Sequence, residues 1–188
     1  MRIISGLFKG KKIYEPNDVK TRPLKDLTKE SIFNIINHSK KFQVNLVNSK
    51  ILDLFSGVGS FGIECLSRGA RKVIFIENYK KVLPILKKNL STLKSCQNYK
   101  IVEENIYQVN TLTNLNCDFN IIFLDPPYKD KNLSMLFEII LEKKILKKDG
   151  IIILHRHKKD HEVFFKNFKI IEEKKYGISK IIFISYLN

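Results

Sequence analysis

The sequence predicts an α/β fold, a mostly parallel sheet with helices on both faces. Three observations carry that expectation. Short apolar runs alternate with segments whose apolar residues recur at helical spacing, the pattern of βαβ units. Three of the runs end in an acid: Asp53 after Ile51-Leu52, Glu77 after Val73-Ile74-Phe75-Ile76, and Asp125 after Ile121-Ile122-Phe123-Leu124. A glycine-rich turn, Ser56-Gly57-Val58-Gly59, joins the first of these strands to a helical segment. In parallel sheets ligands bind beyond the carboxyl ends of the strands, so the strand tips are where chemistry is sought.

Each element has a local reason. Residues 2–14 alternate loosely around Gly6 and Gly10 and predict a small hairpin. Asn17-Asp18 and Arg22-Pro23 mark a loop, and from Lys25 to His38 the residues Leu27, Ile32, Phe33, Ile35 and Ile36 fall at helical spacing. Strand–helix alternation begins after this helix, so residues 1–41 are read as an N-terminal extension and 42–188 as the main domain. Strands are expected at 50–54, 72–77, 99–103, 120–124 and 150–155. Helices are expected at 60–68 (closed by Gly69), 80–93 and 133–143, with a short one at 160–167. Residues 168–175 and 181–187 close the sheet as an antiparallel pair around Gly177, which brings the strands to seven.

Charge narrows the function. The 188 residues carry a net charge of +15, and the excess lies at the ends: +7 over residues 1–50, +2 over 51–128 and +6 over 129–188. A nucleic-acid partner is the natural reading. A lysine-rich composition with only five arginines is the competing account. No apolar run reaches the ~18–20 residues of a membrane span, and the N-terminus lacks the stretch of a signal peptide, so a cytoplasmic location is expected. Cys65, Cys96 and Cys117 are scattered, without a ligand or disulfide pattern. His155, His157 and His161 lack acids or cysteines at ligand spacing, so no metal is expected, and His155 or Arg156 is a candidate RNA contact instead.

At the first tip, Gly57, Gly59 and Gly62 match G-x-G-x-x-G, and Glu77 follows Gly57 by 20 residues, the spacing of a dinucleotide site. Asp53 opposes that reading, because its carboxylate faces where a pyrophosphate would sit. A cationic ligand without phosphate, such as S-adenosylmethionine, suits it better, and a plain strand–turn–helix also satisfies the pattern. Glu77 offers two oxygens to a ribose, and Asn105, at a third tip, an amide to an adenine. Asp125-Pro126-Pro127-Tyr128 suits an exocyclic amine of a base. The Asp125 carboxylate and the Pro126 carbonyl accept its two protons, the prolines stiffen the turn, and Tyr128 offers a stacking face.

D-L-F-S-G-V-G-S-F-G-I-E-C-L-S-R-G-A together with F-L-D-P-P-Y resembles the class I, Rossmann-like methyltransferases that use S-adenosylmethionine to modify base amino groups. The start, R-I-I-S-G-x-x-K-G-K-K-I-x-x-P, then T-R-P-x-x-D-x-x-K-E-S-I-F-N, is similar to the bacterial RsmD family, the 16S rRNA (guanine-N2)-methyltransferases. The resemblance implies a donor site at Asp53, Phe55, Gly57, Gly59, Glu77, Asn105 and Asp125, and a target-amine site at Asp125, Pro126, Pro127 and Tyr128. It implies 16S rRNA, within an assembling or assembled 30S subunit, as partner of a monomer. Leu24 and Leu27 replace a threonine and an arginine of the family pattern. Arg2, Lys9, Lys11, Lys12, Arg22, Lys25 and Lys29 are the candidate RNA-binding residues of the N-terminal extension. An adenine-N6 DNA methyltransferase and a non-catalytic RNA-binding assembly factor are the alternative readings.

Overall fold

A computed structural model describes residues 1–16, 24–94, 96–115, 117–127, 129–160 and 167–187. Arg22, Tyr128 and His161 lie outside the described residues, as does most of the short helix expected at 160–167. In chain order the elements are α1 (Asp26–His38), β1 (Lys50–Leu54), α2 (Ser60–Ser67), β2 (Lys72–Ile76), α3 (Leu83–Ser91), β3 (Tyr99–Val102), α4 (Val109–Thr113), β4 (Phe119–Leu124), α5 (Leu133–Glu142), β5 (Leu146–His157), β6 (Phe168–Tyr176) and β7 (Ser179–Tyr186). Seven strands form one sheet in the order β3-β2-β1-β4-β5-β7-β6. The first five run parallel, and β7 lies antiparallel between β5 and β6.

Side chains alternate across the strands, so two cores form. Ile51, Val73, Phe123 and Ile153 pack with Ile32 of α1, Phe61 of α2 and Leu86 of α3. Leu52, Ile74, Leu124 and Leu154 pack with Leu112 of α4 and Leu136 of α5. Helices therefore cover both faces, which explains why the central strands read as continuous apolar runs. Among the described residues no helix is long and apolar enough to cross a membrane.

The differences from the expected elements have local causes. α3 begins at Leu83 rather than at residue 80, with Pro84 in its first turn, where a missing N–H costs nothing. β5 is longer than 150–155 because Leu146 already pairs with Phe119, before a register irregularity. The five-residue α4 is too short to reveal a period.

The expected N-terminal hairpin is short: Arg2 and Lys12 form an antiparallel bridge, and the Ile3, Gly10 and Ile13 amides donate across it to the Lys11, Ile3 and Met1 carbonyls. Its chain is also bound to α2. Glu64, fully buried, accepts from the Ile4 and Ser5 amides at 2.8 and 2.9 Å. Ser67 Oγ accepts from the Phe8 amide and donates to the Ser5 carbonyl. Between them Gly6 (φ 85°) passes so close that a Cβ there would lie 1.9 Å from the Ser67 carbonyl oxygen. Ile3, Phe8 and Ile13 join the same core cluster as Phe61 and Phe75.

Candidate active site at the strand tips

Strand order reverses between β1 and β4: β2 and β3 extend to one side, β5 to the other. The carboxyl ends beside such a reversal splay apart into a crevice. β1 and β4 are paired to Leu54 and Leu124, and the Asp125 amide donates to the Leu54 carbonyl at 3.4 Å. The two acidic tips are therefore neighbours in space, although 72 positions separate Asp53 from Asp125 in the chain.

Asp53 is only 1% exposed, and its Oδ2 accepts from the Gly62 amide of α2 at 2.9 Å. Burial pushes its carboxyl well above the usual range; the charges of Asp125 and Glu77 push the same way, and the Gly62 bond opposes them. The charges of Asp125 and Glu77 thus disfavour ionisation of Asp53, and a cation bound between them relieves this. The chain then turns through the left-handed region, with φ of 59° at Phe55, 55° at Gly57 and 83° at Gly59. At Phe55, the non-glycine residue, this costs on the order of 1–2 kcal/mol. Ser56 ties the turn down, its hydroxyl 2.6 Å from the Asp53 carbonyl and 3.1 Å from that of Ile76. Its chain neighbours aside, no atom of the described residues lies within 4 Å of where a Gly57 Cβ would stand, so the turn is open to close approach.

Glu77 lies one residue past β2. Its carboxylate accepts from the backbone amides of Gly57 at 2.8 Å, Asn78 at 2.9 Å and Tyr79 at 2.8 Å. A carboxylate has roughly four acceptor sites, so about one stays free. The expected grip on both ribose hydroxyls at once is reduced to one in this arrangement. Asn105 closes a turn after β3, its Oδ1 accepting from the Tyr107 amide at 3.0 Å.

At the fourth tip, Asp125 Oδ1 lies 2.8 Å from His155 Nδ1, and its second oxygen takes no hydrogen bond among the described residues. The same holds for the Pro126 carbonyl, whereas the Pro127 carbonyl accepts from the Asp130 amide and from Arg156. Arg156, buried at the end of β5, also reaches the Asp130 carbonyl and the Asp160 carboxylate. Tyr107 donates to the Asp130 carboxylate at 2.7 Å and packs against Phe55, with ring centroids 6.1 Å apart. Burial, then the hydrogen bond to Asp130 and its charge, push the Tyr107 phenol far above its usual range. Asp125, Pro127 and Asp130 are thus braced from β5 and from beyond the β3 tip. The sequence reading missed both braces: it placed His155 and Arg156 past a central strand tip but had no means of pairing them with Asp125 and Pro127.

Of the basic candidates, Arg2, Lys9, Lys11, Lys12 and Lys25 are exposed, and Lys11 Nζ donates to the Thr92 carbonyl at the end of α3. Lys29 is a correction. It is fully buried, its Nζ 2.7 Å from the Arg2 carbonyl, 3.6 Å from Glu64 and 3.7 Å from Asp26. Burial lowers its pKa, against the pull of Glu64 and Asp26. The signal was available, because Lys29, Ile32, Phe33 and Ile36 share one helical stripe. Lys29 therefore anchors the extension from inside and is no part of an RNA-facing surface. Among the described residues no group of acids, cysteines and histidines is placed to hold a metal ion.

The family described as Conserved hypothetical protein 95 matches residues 1–185. The chain is 33% identical over 179 residues to Ribosomal RNA small subunit methyltransferase D of Haemophilus influenzae, covering 95% of this chain and 90% of that one. It is 37% identical over 154 residues to YlbH of Bacillus subtilis, covering 81% and 80%. The solved structure of yhhF from Escherichia coli superposes with a TM-score of 0.80 at 27% identity, over 99% of this chain and 97% of that one. Matched almost end to end in sequence and in fold, the chain belongs to the Conserved hypothetical protein 95 family, the RsmD family of S-adenosylmethionine-dependent rRNA methyltransferases.

Proposed function

We propose that this protein methylates the exocyclic N2 amine of a guanine in 16S rRNA, acting as a monomer in the cytoplasm on an assembling or assembled small subunit. The observation that carries the reading is the meeting of Asp53, Glu77 and Asp125 at the β1/β4 reversal, beside a proline carbonyl that has no partner among the described residues. The name of the Haemophilus relative supports the rRNA substrate. When bound, S-adenosylmethionine supplies an electrophilic methyl group carried on a sulfonium.

The donor set fits that ligand: buried acid where positive charge is needed, and a glycine turn open to close approach. Asp53 and the turn from Phe55 to Gly59 hold the donor, Glu77 takes a ribose hydroxyl, and Asn105 borders the adenine. Asp125 and the Pro126 carbonyl accept the two protons of the target amine. This draws the nitrogen lone pair out of conjugation with the ring and toward the methyl carbon. Asp125 then stabilises the positive charge that develops on nitrogen. Pro127 fixes the turn, and Tyr128 provides a stacking face. Arg2, Lys9, Lys11, Lys12, Arg22 and Lys25 meet phosphates of the RNA.

The test is Asp125→Ala. Methyl transfer to small-subunit RNA is expected to fall roughly 10²–10³-fold while calorimetry still detects donor binding; near-normal turnover defeats the mechanism. Mass spectrometry of nucleosides from treated RNA and DNA reads the product. N2-methylguanosine is expected, whereas N6-methyladenine in DNA moves the assignment to a DNA enzyme. Loss of donor binding in the unaltered protein marks a non-catalytic binding factor.

A further inference from the structure

The chemistry above gives no task to His155, a buried polar residue among those described. His155 is 8% exposed and sits near the end of β5, one step beyond the last registered pair of β4 and β5, Leu124 with Leu154. Its Nδ1 lies 2.8 Å from Asp125 Oδ1. Its Nε2 is buried and has no hydrogen-bond partner among the described residues. A carboxylate only accepts hydrogen bonds, so the ring proton is assigned to Nδ1 and the bond is Nδ1–H to Oδ1.

We propose that His155 is the positioning residue for Asp125: its single tether fixes the rotation of the carboxylate and reserves the second oxygen for the amine to be methylated. The inference rests on the reading of Asp125 as the amine-holding group. The physical need is specific. The last torsion of an aspartate side chain is broad and nearly two-fold, so packing alone sets it poorly. Asp125 stands just past its strand, with its side chain 23% exposed and His155 as its one side-chain hydrogen-bond partner among the described residues. A donor from the adjacent strand converts that loose torsion into one direction. The amine needs the Asp125 oxygen and the Pro126 carbonyl at fixed relative positions, and misplacement by about 1 Å costs on the order of 100-fold in rate. The unpartnered Nε2 bears on the same point. A buried polar atom left without a partner costs about 1–3 kcal/mol. A leucine of similar bulk would avoid that cost, so packing alone does not account for histidine here.

The experiment compares His155→Leu, His155→Asn and His155→Gln in the full-length protein, with kcat, the KM for RNA and donor affinity measured separately. Asparagine carries its amide nitrogen at the same bond count from the backbone as Nδ1, whereas glutamine reaches the place of Nε2. Expected for His155→Leu is a loss of about 10–100-fold in kcat, with the KM for RNA and donor affinity unchanged. Expected for His155→Asn is recovery of most of that loss, and for His155→Gln little recovery. If His155→Leu does not fold, the order of the other two carries the test, and glutamine equal to or better than asparagine overturns the proposal. The double variant with Asp125→Ala, in single-turnover assays, separates positioning from a structural role: no further loss beyond Asp125→Ala alone is expected, and additive losses overturn it. Full activity of both His155→Leu and His155→Asn, with Asp125→Ala inactive, overturns this proposal alone. Normal turnover by Asp125→Ala instead overturns the underlying reading of Asp125.

Discussion

Asp53 and Gly62 meet through one hydrogen bond of 2.9 Å, and each limits what the other position tolerates. A Cβ on Gly62 would lie 2.3 Å from the Phe75 ring and 2.9 Å from Asp53 Oδ2. Gly62→Ala is therefore expected to cost about 1–3 kcal/mol in denaturant unfolding and to weaken donor binding in the same protein. Asp53 itself trades stability for binding. Its folded-state pKa is raised, by burial first. Between the ordinary carboxylate value and that raised value, the unfolded chain has released its proton while the native state keeps it. The native state thus binds more protons, so stability falls as pH rises through that window. Asp53→Asn keeps an acceptor for the Gly62 amide and removes the titration. Without donor, the variant and the parent should melt alike at low pH, and the variant should gain as pH rises toward 7, by about 2–4 °C for each kcal/mol. The same substitution should abolish donor binding by calorimetry. A melting difference independent of pH would refute the assigned cause.

At the scale of elements, α2 has two roles. Its amino end meets the Asp53 carboxylate, and one turn later Glu64 and Ser67 hold residues 4–8 of the N-terminal segment. Glu64 also pairs with Arg68 at 2.8 Å, and Arg68 lies over the Phe33 ring of α1. A buried acid with this many donors is costly to remove, because Lys29 and two backbone amides lose their partner together. Glu64→Ala is expected to destabilise by about 3–5 kcal/mol. Hydrogen exchange should show amides 4 and 5 losing protection before the strands do. Unchanged protection at those amides would mean that the segment is held by its apolar residues alone. Asn89 of α3 makes a second link. It binds both the amide and the carbonyl of Tyr14 and donates to the Val58 carbonyl inside the glycine turn, so the extension and the donor turn share one side chain.

Across the whole molecule, these links set Met1 and Tyr14 of the basic extension beside the donor turn, whereas residues 6–8 lie against Ser67 at the far end of α2. Ser60, the first residue of α2, donates to Met1 Sδ, which puts the chain start next to the donor turn. Lys9 and Lys12 are both exposed, and under the proposed function they meet phosphates of the RNA. Charge reversal of both, Lys9→Glu with Lys12→Glu, is expected to weaken RNA binding. It should flatten the dependence of log K on log salt by about 0.7 for each single-strand phosphate that is no longer neutralised, while donor affinity stays the same. A salt slope identical to that of the parent would remove these lysines from the RNA-binding face.

Strand and helix alternation, the glycine turn and the three acid-bearing tips were legible in the sequence, because periodicity and turn chemistry act over a few neighbouring residues. Those tips and the family motifs were enough to point to an S-adenosylmethionine-dependent rRNA methyltransferase. The pairing of His155 with Asp125 was not legible, nor was Arg156 under the Pro127 carbonyl, because each joins groups about thirty positions apart that become neighbours only when β5 docks beside β4. The burial of Lys29 against Glu64 and the engagement of Glu77 by three backbone amides have the same origin. Local chemistry chose which residues stand at the strand ends. The order of the strands, set by packing on both faces of the sheet, chose which of those residues touch.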